Sequence, residues 1–152
     1  MSVKASIKSV NKKGVQTYLK TFEKKIKDKV NIAGNLVRNT AVQSILSGGK
    51  SGKVYEKYNP RRTHRASADG QPPASDTGFL ASNIVVNLDT NGFTANVESR
   101  ADYSIYLEFG TQKMKARPFM QPALEENRPK IRRMFATTKG KAKWVYIQNK
   151  PK

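Results

Sequence analysis

The stretch IVVNLDTNGFTANVE, residues 84–98, decides the fold. Two runs of alternating apolar residues flank Thr90-Asn91-Gly92-Phe93, and Asn-Gly is the strongest short-range signal for a β-hairpin. Pairing outward from that turn sets Val86 opposite Val97 and Leu88 opposite Ala95. Ile84, Val86, Leu88, Phe93, Ala95 and Val97 then share one face, while Val85, Asn87, Asp89, Thr94, Asn96 and Glu98 take the other, mostly polar one. Turn register and hydrophobic alternation agree, so the pairing is well specified. Two strands alone are marginal in water, and the apolar face needs a cover.

The cover lies upstream. Over 15–46, Val15, Leu19, Phe22, Ile26, Val30, Ala33, Val37, Ala41 and Ile45 recur three or four positions apart, the spacing of one helical face. Asn11 is the candidate N-cap, and Gly48 with Gly49 supplies the stop. Lysines wet the first half, while Ile32, Leu36, Val42 and Leu46 widen the stripe of the second. An unbroken helix of this length spans roughly 50 Å, whereas a compact domain of this size is only about 40 Å across. Either Gly34 breaks the helix or one end projects beyond its own domain, and a projecting apolar stripe needs a partner.

Downstream of the hairpin, Asp102 can cap a short helix over 103–109 that Gly110 ends. Tyr103, Ile105, Tyr106, Leu107 and Phe109 leave it little polar surface, so it belongs in the core or at a subunit contact. Glu108 among them is read as paired with a base or turned to the rim, not as a catalytic acid. Pro122 suits the first turn of a second helix, whose apolar face is Ala123, Leu124, Ile131, Met134 and Phe135. Pro129 is expected to kink or interrupt it. The fold expected is α+β: a long N-terminal helix packed on a small antiparallel sheet, with a second helix near the C-terminus. One domain covers 1–138, and 139–152 form a basic tail in which Trp144, Val145, Tyr146 and Ile147 could add a strand to this sheet or a neighbour's.

The 152 residues carry 29 Lys and Arg against 11 Asp and Glu, a net charge of +18. That charge is segregated. Residues 1–30 carry +7, 47–65 carry +5 and 128–152 carry +9, whereas 66–127 carry −4. Residues 47–77 show no sustained period and read as a long basic loop, a length that in compact domains is functional or disordered. Lys50, Lys53, Arg61, Arg62 and Arg65 are its candidate phosphate contacts, with Tyr55 and Tyr58 able to stack on bases.

Function classes narrow quickly. The absence of cysteine removes disulfides, thiolate metal sites and cysteine nucleophiles, and His64 is the only histidine. No phosphate loop, His-Glu-x-x-His or calcium loop occurs, and the acids are scattered. No window approaches 18 consecutive apolar residues, and the N-terminus lacks the apolar run of a secretory signal, so no membrane role is expected. Neither enzyme chemistry nor a cofactor is expected. Charge alone fits a nucleic-acid-binding protein that acts through basic patches without reading bases.

The order of segments also resembles a tail-component family of long-tailed bacteriophages. The resemblance rests on Thr77, Gly78 and Leu80, then on Tyr103, Tyr106, Glu108, Phe109, Gly110 and Thr111, and then on Pro118, Phe119, Pro122, Ala123 and Leu124. It covers roughly residues 70–135, together with the leading helix. It implies a structural virion protein of the neck that completes the tail and joins it to the head, assembled in the host cytoplasm. It further implies a homo-oligomeric ring, commonly of six subunits, beside head-completion, tail-terminator or tail-tube proteins, with double-stranded DNA in the channel. Tyr103, Tyr106, Phe109, Trp144 and Tyr146 are the candidate subunit contacts. Gly78 and Gly110 are expected to serve backbone geometry, and Phe109 and Phe119 packing.

Overall fold

The computed structural model describes residues 12–136. Helix α1 runs Lys12–Ser47 without interruption, 36 residues and thus about 54 Å long. Gly34 does not break it. A Cβ there would sit 2.8 Å from Val86 Cγ1 and 2.9 Å from Ala95 Cβ, so at this glycine helix and hairpin approach too closely to admit a side chain without a shift. Among the described residues, every side chain from Lys12 to Lys25 is exposed, and fully buried α1 positions begin at Gly34. One end of the helix therefore projects. Asn11 and its capping role lie outside the described residues.

Strands β3 (Ile84–Leu88) and β4 (Ala95–Ser99) pair antiparallel in the expected register, Val86 with Val97 and Leu88 with Ala95. The turn is closed by Asp89, whose backbone N–H donates to Thr94 O at 3.0 Å. Its Oδ1 accepts from the N–H groups of Phe93 and Thr94 at 2.9 and 3.2 Å. The apolar face packs on α1, but only its Ile84 end is fully buried, while Leu88 and Phe93 stay exposed. Phe93 instead lies under the Lys27 ammonium, 5.1 Å from the ring centre.

The core gathers Val37, Ala41 and Ile45 of α1, Leu80 and Ala81 of the short helix α2 (Phe79–Ser82), Ile84, Ala101, and Phe119 and Ala123 at the C-terminal side. Helix α4 (Met120–Ala136) lies against α1, and the junction is tied by Asn127, which donates to Thr40 Oγ1 and Ala123 O at 2.8 Å each. The expected interruption at Pro129 does not occur, and α4 continues to Ala136. Contacts on both sides of the proline, Asn127 before it and Ile131 after it, hold the helix on α1 despite the missing donor.

The structure revises the 47–77 loop. Residues Val54–Tyr58 (β1) and Arg61–Arg65 (β2) form a second antiparallel ribbon around a two-residue Asn59-Pro60 turn. Its pairing extends outward through Gly52 N–H to Ala66 O at 2.8 Å and Ala66 N–H to Lys53 O at 2.9 Å. No residue of either strand is buried, so the alternation that marks a half-buried strand is missing from the sequence. Val54, Tyr55, Tyr58 and Thr63 supply β-forming side chains instead.

Candidate assembly interface

The motif residues converge on the corner between α3 (Ser104–Phe109) and α4. Asp102 does not cap α3; its N-cap is Tyr103, with no side-chain bond. Glu108 is neither ion-paired nor turned to the rim. Its carboxylate accepts the first backbone N–H groups of α4, with Oε2 taking Phe119 and Met120 at 2.9 and 3.1 Å and Oε1 taking Gln121 at 2.9 Å. A negative charge that satisfies orphan donors at a helix N-terminus stabilises that end twice over, by hydrogen bonding and by the helix dipole. The signal was present as an acid shortly before a Pro-Phe-x-x-Pro helix start, but a cap delivered from another helix has no fixed spacing.

Gly110 closes the corner with φ of 76°, where a Cβ would lie 2.8 Å from both Ala116 N and Met114 O. The chain turns through 111–114 and returns so that Arg117 N–H donates to Leu107 O at 2.7 Å. Phe119 then enters the core at 1% exposure. Gly78 likewise has a positive φ of 80°, so both motif glycines serve backbone geometry.

Phe109 departs from the expectation of packing: it is 76% exposed. Tyr103, Ile105 and Tyr106 are exposed too, so α3 is not a core helix. It forms one wall of an apolar groove of about 660 Å³ whose other walls are the body half of α1, β4 and α4. Val30, Val97, Ile105, Leu124, Ile131 and Phe135 line it, and among the described residues its only charged lining groups are Glu98 and Glu108. Trp144 and Tyr146 lie outside the described residues.

The basic candidates separate into different settings. Strand register puts Val54, Glu56, Tyr58, Arg61, Thr63 and Arg65 on the outer face of the ribbon, and Tyr55, Lys57, Arg62 and His64 on the inner face. Lys57, Arg62 at 3.4 Å and His64 Nδ1 at 3.7 Å all meet Asp76. The hydrogen bond from Lys57, aided by the charges of Arg62 and His64 and opposed by partial burial, holds the Asp76 carboxyl below its ordinary 3.8. Burial, and secondarily the Asp76 charge, raises the nearby Tyr103 phenol above 10.0. Lys50 is exposed, as are Arg61 and Arg65. Lys53 instead joins Lys113, Lys115 and Arg117 around a cleft of about 860 Å³. Sequence reasoning did not connect Lys53 with those three, because the contact spans some sixty residues and follows from the return of the chain after Gly110.

Among the described residues no group of His, Asp and Glu is arranged to hold a metal ion, and no helix is long and apolar enough to cross a membrane. No curated protein and no solved structure matches the chain. A family model does: "Bacteriophage HK97-gp10, putative tail-component" matches residues 1–110, which include all of α1, both hairpins and α3. The match thus reaches further toward the N-terminus than the motif resemblance and takes in the basic ribbon, while the Pro-Phe-x-x-Pro-Ala-Leu segment falls beyond it. The chain belongs to the HK97-gp10-like family of phage tail components.

Proposed function

We propose that this structural tail component acts in the virion neck, completing the tail and joining it to the head as a homo-oligomeric ring of six subunits. The observation that carries the reading is the open apolar groove beside α3, with Phe109 almost bare at its edge. Apolar patches of this kind mark interaction sites. Family membership supplies the tail context, and the motif resemblance supplies the neck and the six-fold ring. In such a ring Lys50, Arg61 and Arg65 are the groups available to passing DNA, since Arg62 is drawn toward Asp76. A reconstruction of the virion neck tests this. The chain is expected as one ring of six copies between the head and the tail tube; copies repeated along the tube would refute the neck assignment.

A second reading, a non-sequence-specific nucleic-acid-binding protein, is favoured by one feature. Lys53, Lys113 and Arg117 share the cleft without an ion-pair partner among the described residues. That reading requires salt-sensitive duplex binding by the isolated chain, with the salt slope falling by about 2 in Lys53→Gln/Lys113→Gln.

A further inference from the structure

Among the described residues, two exposed apolar features match each other in shape and charge. The projecting half of α1 carries Val15, Tyr18, Leu19 and Phe22, all exposed, at i, i+3, i+4 and i+7. Those are the anchor positions of a helix laid into a groove. The groove beside α3 is open, predominantly apolar and bounded by helices and one strand. Charge agrees with shape. The arm from Lys12 to Lys25 bears Lys12, Lys13, Lys20, Lys24 and Lys25 against one acid, Glu23, whereas the groove is lined, among the described residues, by Glu98 and Glu108 and by no base. At 100° per residue, Lys12 and Lys25 lie along the two borders of the apolar stripe, so that a helix seated in the groove presents its positive charge to the negatively charged lining. The stripe cannot reach the groove of its own subunit. It sits on the same uninterrupted helix whose residues Val30 to Val37 form one wall of that groove, on the same face but at least eight residues, about 12 Å, nearer the N-terminus, and a continuous helix cannot fold back on itself.

We infer that the projecting half of α1 docks in the groove of a second copy of this chain, Val15, Tyr18, Leu19 and Phe22 seated against Ile105, Leu124, Ile131 and Phe135. Arm and groove are different surfaces of one subunit, so the contact is head-to-tail and repeats around a closed ring or along an open filament. The inference rests on the ring reading and names the contact that makes it.

The absence of cysteine makes the test clean. In the full chain, Leu19→Cys/Ile105→Cys under mild oxidation is expected to yield a ladder of covalent oligomers that ends at the ring size, while each single variant yields none. Leu19→Glu, at an exposed position, is expected to raise the dissociation midpoint of the wild-type oligomer about thirtyfold by sedimentation velocity, the scale of losing one hot-spot residue. Dimers from Leu19→Cys alone would show that stripe packs on stripe, and overturn the inference. So would Leu19-dependent flotation with phosphatidylglycerol vesicles by a chain that stays monomeric. An oligomer that persists unchanged in Leu19→Glu and gives no ladder in the double variant overturns the arm contact but spares the ring. A wild-type chain that is monomeric at all concentrations overturns both.

Discussion

The hairpin β3–β4 offers Ile84, Val86, Ala95 and Val97 to α1, whereas the ribbon β1–β2 offers nothing to the core. Both are antiparallel pairs of five-residue strands. The first is held by burial: Ile84 is fully inside, and Gly34 lets the α1 backbone close on the sheet. The second is held by its own backbone ladder and by Lys57, Arg62 and His64 converging on Asp76. Burial is insensitive to salt and pH over most of the range, while partly exposed ion pairs are screened and titrate. The difference teaches that one part of this small domain is built as scaffold and the other as an attachment whose docking depends on solution conditions.

The most direct way to break the comparison is to empty the scaffold side. Ile84→Ala removes a fully buried side chain between α1, α2 and Phe119 and is expected to cost about 2–5 kcal/mol in urea or thermal unfolding. A loss under about 1 kcal/mol would mean that β3–β4 is no better buried than the ribbon, and the contrast would fail.

Next in size is the tight approach of helix and hairpin. Gly34→Ala gains about 1 kcal/mol of helix propensity, but its methyl group must displace the stiff Val86 side chain and Ala95. Overpacking costs of about 1–3 kcal/mol offset or exceed that gain, so a net loss of up to roughly 2 kcal/mol is expected from the same unfolding curves. Net stabilisation would show that α1 rides loosely on the sheet.

These two positions also show what the chain makes legible. Register, faces and cover of β3–β4 follow from alternation and the Asn-Gly turn, because burial writes a period into the residues. Gly34 was ambiguous by itself: a glycine within a helical pattern signals a break or a close contact equally, and only the position of Val86 decides. The ribbon left no period, since neither face is buried, and Lys57, Arg62 and His64 read as loop charge until Asp76 was placed among them. The projecting end of α1 was half legible, as a length that a domain of this size cannot hold. Glu108 was not, because the α4 amides it serves are brought to it by the turn at Gly110.

The smallest expected effect is the most diagnostic of the attachment. The Asp76 carboxyl is held below its ordinary 3.8 in the folded chain by the Lys57 hydrogen bond and by Arg62 and His64. A lowered carboxyl value stabilises the docked ribbon above the unfolded value, and that contribution is lost as the pH falls below 3.8 through the folded one. Amide chemical shifts of residues 54–65 are therefore expected to move as the pH falls below 3.8 in a two-dimensional NMR titration, while those of Ile84 and Val86, on the face packed against α1, stay in place. Asp76→Asn at neutral pH should reproduce the acid spectrum of the ribbon with little change in global unfolding, and high salt should reproduce part of it, since screened pairs weaken together. If the shifts of Ile84 and Val86 follow those of the ribbon, the two hairpins form one cooperative unit. If the ribbon does not respond at all, the backbone bonds between Gly52, Lys53 and Ala66 suffice to hold it, and the charges around Asp76 are free to serve another partner.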